Sequence, residues 1–200
     1  IMTTSNHWPF TYHEGIIDIP SHSGRNGAVK YSDYAIGKLI NDAQKESWFK
    51  DTVFVIVADH CAGSAGKASL PVNRYEIPLL IYSPSHFKPQ RIDKLASQID
   101  IAPTVLGLLN FSYKTKFFGK DILKMQPEQE RALIGTYQKL GYLKNDRLAV
   151  LDIKKKGTVY QFDRRSGEIK ELPPDQNLLD EAISYYQAAN YLFEHGLNRF

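Results

Sequence analysis

Two hundred residues, 42% hydrophobic and 24% charged, make a globular chain rather than a disordered or membrane-embedded one. The 25 basic and 22 acidic residues are interspersed and leave a net charge of +3; no basic stripe carries interleaved aromatics, which argues against a nucleic-acid partner. No apolar run reaches the roughly 18 residues a spanning helix needs, and a lone cysteine, Cys61, excludes an internal disulfide. The chain opens Ile1-Met2-Thr3 without a charged and then apolar leader, and an isoleucine ahead of the methionine points to a polypeptide that continues upstream.

Residues 1–27 lack periodicity and are rich in His, Ser, Pro and Gly, so they read as a long loop with at most a short strand at 15–19. Loops of that length in compact domains usually carry function. Residues 31–46 place Ala35, Ile36, Leu39, Ile40 and Ala43 on a helical stripe. The run VFVIVA at 53–58 is apolar at every position, as in a strand covered on both faces, and IPLLIY at 77–82 is a second such run. Pro78 falls near the start of that second run, where a missing donor is tolerable. Asp100 is placed to cap a helix running to about Leu109, with Pro103 in its first turn.

From Arg131 the texture changes to short strand candidates at 132–137, 147–153, 158–163 and 168–172, with turn signals at 154–157 and 163–167. An amphipathic helix over 180–194, with Leu179, Ala182, Ile183, Tyr186 and Phe193 on one side, closes the chain. The expected fold class is therefore α/β, with a small antiparallel meander and a terminal helix. Two strands buried on both faces imply a sheet sandwiched by helices, yet two strands alone are not a stable core. Either the meander joins this sheet or strands from outside these 200 residues complete it, and the expectation is the second with some contribution from the first.

Active sites of open α/β sheets form at the carboxyl ends of strands, and Asp59-His60 follows the run 53–58 directly. A carboxylate oxygen and an imidazole nitrogen leaving one strand can reach one divalent ion; equally, Asp59 can cap a turn while His60 packs. His7 lies in a loop dense in donors and reads either as a phosphate or sulfate donor or as an ordinary surface histidine. Ser64 and Lys67, in the glycine-containing stretch 63–67, can hydrogen-bond an anion in a nest, although the stretch lacks the Gly-Lys-Ser/Thr ending of a P-loop. No base is placed for Cys61, which reads as packing, and His13, His22, His86 and His195 read as structural.

Five motifs then occur in order: Ser-Asn-His-x-Pro-Phe-Thr-Tyr at 5–12, Gly-Ala-Val-Lys-Tyr-x-Asp-Tyr-Ala at 27–35, and Val-Ala-Asp-His at 57–60. Ile-Pro-Leu-Leu-Ile-Tyr-x-Pro at 77–84 and Asp-Ile-Ala-Pro-Thr-Val-Leu-Gly-Leu-Leu at 100–109 complete the set. Together they resemble the C-terminal half of a sulfatase-like domain of the alkaline phosphatase superfamily. The branch is that of lipoteichoic acid synthases and the phosphoglycerol and phosphoethanolamine transferases of bacterial envelopes. The resemblance covers roughly residues 3–125.

It implies an alkaline-phosphatase-like α/β/α sandwich over residues 1–125 and a terminal α+β subdomain, meander plus helix, over 126–200. Asp59 and His60 carry over as two ligands of a divalent cation (manganese, magnesium or zinc), and His7 as a contact to substrate phosphate. The threonine nucleophile and a further acidic ligand are expected upstream of Ile1, so no catalytic nucleophile is assigned in this chain. Thr104, inside a helix, is read as a support for the sheet. The implied activity is metal-dependent phosphoryl transfer or phosphodiester hydrolysis on a phospholipid head group, with a true sulfatase acting on a sulfate ester as the alternative. A non-catalytic envelope domain is the third reading, because Trp8 occupies a position where the motif more often has arginine. The implied location is the cytoplasmic membrane, with the domain facing the periplasm or cell exterior and anchored by helices N-terminal to these residues.

Overall fold

The computed structural model describes residues 1–63, 70–154, 156–163 and 166–198. They divide into two compact units, Ile1–Ile56 with Leu80–Pro89, and Val57–Leu79 with Gln90–Phe200. Among the described residues no helix is long and apolar enough to cross a membrane.

In the first unit the N-terminal segment is irregular, with bends rather than a strand at 16–19. It is organised by Tyr12, which is buried and donates its hydroxyl to the carbonyl of Pro20 at 2.8 Å. The Tyr12 ring stacks on Tyr31 of helix α1 (Arg25–Ala43), with centroids 4.9 Å apart. Gly27 makes that approach possible: a Cβ there would lie 2.0 Å from the Tyr12 hydroxyl. The helix therefore starts at Arg25, ahead of the stripe that announces it in the sequence. Its first turn is selected by packing against Tyr12, not by apolar periodicity. The stripe is only partly covered: Ala43 is buried, whereas Leu39 is 48% exposed.

Strands β1 (Phe54–Val57) and β2 (Leu79–Tyr82) pair in a two-stranded sheet. Phe54 and Tyr82 share an aromatic cluster with Phe49, whose ring centroid lies 5.7 Å from that of Phe54. The buried Ser83 hydroxyl donates to the carbonyl of Thr52 at 2.8 Å. Both-face burial, expected from the unbroken apolar runs, is not what this chain provides. Val55, Val57 and Leu80 are exposed, Leu80 to 54%.

The second unit holds an antiparallel meander in the order β3 (Ala132–Gly135), β4 (Lys139–Lys144), β5 (Arg147–Asp152), β6 (Gly157–Phe162) and β7 (Ile169–Leu172). It forms its own five-stranded sheet and does not extend the β1–β2 sheet, correcting the expectation that it contributes there. Between β4 and β5 the register pairs Lys144 with Arg147, leaving Asn145 and Asp146 as a two-residue turn. Both have positive φ (50° and 55°), the geometry that twists with the strands of a hairpin.

The alternation of β5 splits the core between two faces: Leu148 and Val150 point to one, with Leu70, Ala132, Leu143 and Phe162, and Ala149 to the other. Helix α3 (Gln176–Glu194) covers the second face with Leu178, Leu179 and Ala182. Asp175 caps it by accepting the Leu178 N–H at 3.1 Å, which moves its start ahead of the predicted residue 180. Phe193, predicted on the apolar side, is 74% exposed, because the covering face ends before the last turn.

Candidate functional site

Beyond β1 the chain turns out of the ladder at Ala58 and presents Asp59 and His60 to solvent, with side chains 71% and 75% exposed. The Asp59 carboxylate is fixed by its own backbone: Oδ1 accepts the His60 N–H at 2.9 Å. His60 Nδ1 lies 2.7 Å from the carbonyl of Cys61. A carbonyl can only accept, so Nδ1 carries the proton, and in the neutral ring the lone pair belongs to Nε2. That nitrogen is 3.5 Å from Asp59 Oδ2.

Two ligands about 2.1 Å from one ion sit roughly 3.0–3.4 Å apart in octahedral or tetrahedral arrangements. The 3.5 Å between His60 Nε2 and Asp59 Oδ2 is close to that spacing. His60, with its side chain largely in solvent, is not packed into a core. Among the described residues no three His, Cys, Asp or Glu side chains converge as a metal set. Cys61 is a half-buried free thiol whose backbone carbonyl accepts the His60 Nδ1 proton. Ser64 and Lys67 lie outside the described residues.

The strand exit is held from a neighbouring turn that was not identified as functional in the sequence. Gln98, in the short 3-10 turn Gln98–Asp100, donates its side-chain amide to the carbonyls of Ala58 and Asp59 at 3.0 and 2.7 Å. The turn is tied into a buried network. Asp100 accepts the Ser97 N–H (2.8 Å) and the Lys120 N–H (2.7 Å), and makes a bidentate pair with Arg131 at 2.8 and 2.7 Å. Burial opposes the Arg131 charge, but Asp100 outweighs it and holds the guanidinium pKa above its ordinary value.

Asp100 thus closes a buried ion pair; no side-chain cap bond to helix α2 (Ile101–Leu108) forms, contrary to the expected capping role. Thr104, buried in α2, donates to the Asp100 carbonyl at 2.6 Å and accepts the Ile122 N–H at 2.9 Å, a supporting position. The Ser-x-x-Asp spacing of 97–100 was the sequence signal available for this turn.

His7 belongs to the first unit, where it is exposed and its Nδ1 donates to the Trp8 carbonyl at 2.8 Å. That bond leaves Nε2 as the nitrogen for a ligand. The His7 carbonyl accepts the Phe10 N–H at 2.7 Å, and the Arg25 guanidinium lies over the Phe10 ring at 5.6 Å. Arg25, at the start of α1, thus lies against the residue that closes the His7 turn, while position 8 is tryptophan.

Comparison with known proteins bears on both units. A sulfatase family profile matches residues 1–111. Lipoteichoic acid synthase 2 of Bacillus subtilis is 28% identical over 147 residues, covering 62% of this chain and 22% of that protein. Phosphoglycerol transferase I of Xanthomonas campestris pv. campestris is 29% identical over 97 residues, covering 48% of this chain and 14% of that protein. Among solved structures, a protein of the alkaline phosphatase superfamily from Vibrio parahaemolyticus superposes with a TM-score of 0.89 at 36% identity, over 97% of this chain and 48% of its own. The chain thus spans under a quarter of the two curated relatives and about half of the Vibrio chain. With its five motifs inside or overlapping the matched region, this chain belongs to the sulfatase family and has the fold of the alkaline phosphatase superfamily.

Proposed function

We propose that this chain supplies part of the metal site of a phosphoryl transferase or phosphodiesterase acting on phosphoglycerol-type head groups. The observation that carries the proposal is the 3.5 Å separation of His60 Nε2 and Asp59 Oδ2, each freed for a shared ion by the backbone bond of its neighbouring atom. A carboxylate oxygen with an imidazole nitrogen suits manganese, magnesium or zinc. Such an ion, when bound, lowers the pKa of an attacking oxygen and offsets charge on the phosphoryl group.

The chain's own contributions are orientation and hydrogen bonding. Asp59 and His60 hold their donors convergent, and His7, in the form that carries a proton on both ring nitrogens, donates from Nε2 to substrate phosphate. Ser64 and Lys67 add anion contacts in the stretch that follows the ligands. The nucleophile and the remaining ligands come from sequence N-terminal to Ile1, and the half-exposed β1–β2 sheet, together with the 48% coverage of the Vibrio chain, supports that reading. Residues 1–125 then form half of the catalytic domain and 126–200 its terminal subdomain, and the whole protein works at the envelope membrane on its outer side.

Sulfate-ester hydrolysis is the second reading, favoured by the family profile and by a Formosa agariphila protein named a sulfatase that is 26% identical over 129 residues. Full-length protein assayed on matched phosphodiester and sulfate-ester substrates separates the two. For the shared part of the proposal, Mn2+ titration of this chain should show weak binding that Asp59→Ala abolishes. Sub-micromolar affinity, or binding unchanged by Asp59→Ala, refutes the two-ligand assignment.

A further inference from the structure

We infer that Gln98 is the positioning residue of the candidate metal site, a role that rests on the ligand assignment above. Its amide nitrogen spends both hydrogens on the chain that carries the ligands, one on the Ala58 carbonyl at 3.0 Å and one on the Asp59 carbonyl at 2.7 Å. Two carbonyl acceptors leave no choice of amide orientation, because only the nitrogen end can donate.

The second bond reaches the ligand through covalent geometry. The Asp59 carbonyl and the His60 N–H belong to one planar peptide unit and point in opposite directions. Holding the carbonyl therefore aims the N–H, and that N–H is the donor that fixes Asp59 Oδ1 at 2.9 Å. Gln98 thus sets the rotamer that turns Oδ2 toward His60 Nε2. The first bond fixes the preceding peptide, so the direction in which the chain leaves β1 is defined at two successive carbonyls.

A clamp is useful only if its own base is rigid. Gln98 begins a turn bracketed by Ser97, whose Oγ accepts the Leu133 N–H at 2.7 Å, and by Asp100, which is 0% exposed and paired with Arg131. The base is a buried ion pair whose arginine directly precedes β3, while the Gln98 side chain itself is exposed. Removing its amide should therefore disturb the ligands without unfolding the unit.

The test uses this chain with Gln98→Met, which keeps the length and removes both donors, Gln98→Glu, and Asp59→Ala. Mn2+ affinity is read from the free-ion electron paramagnetic resonance signal, backbone exchange at His60 by hydrogen–deuterium mass spectrometry, and folding from Tm. Gln98→Met should weaken Mn2+ about tenfold, the low end for loss of a partner that orients a ligand, and should speed exchange of the His60 amide at unchanged Tm. Gln98→Glu discriminates further. A carboxylate that merely added negative charge near a cation would tighten binding, whereas one that repels two carbonyls weakens it at least as much as Gln98→Met. Mn2+ loss in Asp59→Ala with wild-type affinity and exchange in Gln98→Met overturns the role of Gln98 alone. Wild-type affinity in Asp59→Ala overturns the ligand assignment beneath it.

Discussion

Replacing Arg131 by methionine probes the network that anchors the candidate site. The guanidinium makes two bonds to Asp100, one to the Phe118 carbonyl at 3.1 Å and one to the Tyr185 hydroxyl at 3.2 Å, and the paired side chains are 2% and 0% exposed. Methionine preserves much of the volume but leaves a buried carboxylate without its counter-charge. Removing one member of a buried pair costs about 3–5 kcal/mol. Asp100 keeps the Ser97 and Lys120 N–H donors, so the lower end, about 3 kcal/mol, is expected. At a urea m-value of about 2 kcal/mol/M the midpoint falls by about 1.5 M.

Near-UV tyrosine dichroism reports this unfolding, because Tyr142 of β4 and Tyr185 of α3 meet where the helix packs on the sheet, with ring centroids 5.5 Å apart. Adding Asp100→Asn to Arg131→Met removes the stranded charge and should recover at least about 1 kcal/mol. A loss below about 1 kcal/mol for Arg131→Met refutes the buried ion pair as the anchor.

Gly119→Ala should destabilise by about 1–3 kcal/mol in the same titration, because its Cβ would lie 1.8 Å from the Ile99 carbonyl oxygen, a backbone atom with no rotamer to yield. Burial opposes ionisation of Glu181, but hydrogen bonds from Lys144 and Tyr142 outweigh it and hold the carboxyl below its ordinary range. Its contribution is therefore present above about pH 4.5 and lost as pH falls through the depressed value. Thermal melts should show Glu181→Gln a few degrees below wild type at pH 7, about 0.5–1 kcal/mol for a partly exposed pair, with the gap closing in acid. Burial pushes the Tyr186 hydroxyl up to about 12, and it donates to the Ile134 and Gly141 carbonyls at 3.3 and 3.2 Å. Its contribution is complete below about pH 10 and disappears as pH rises through 12, so the deficit of Tyr186→Phe, about 1 kcal/mol at neutral pH, should vanish in alkaline melts.

The amino-acid sequence by itself determined the family, the terminal helix, most of the meander and the dipeptide at the end of β1. Each of these is written locally, in ordered motifs, in turn residues flanking short β-branched runs, and in periodicity. Strand β4 was not legible, because Gly141 interrupts its pattern. The space a Cβ would take there is filled by Leu70, Ile134 and Leu148 from elsewhere in the chain, the nearest of these atoms 2.7 Å away. Asp59 and His60 were visible as candidates, but a dipeptide does not say which nitrogen is free or how far it lies from a carboxylate oxygen. Those depend on the Cys61 carbonyl, the His60 N–H and the Gln98 amide. What the tertiary structure alone decided is that residues about 40 positions apart, Asp59 and Gln98, share one hydrogen-bonded unit, anchored by Asp100 and Arg131. A buried ion pair and a side-chain clamp depend on which segments meet in space, and that information is carried by the fold rather than by any window of sequence.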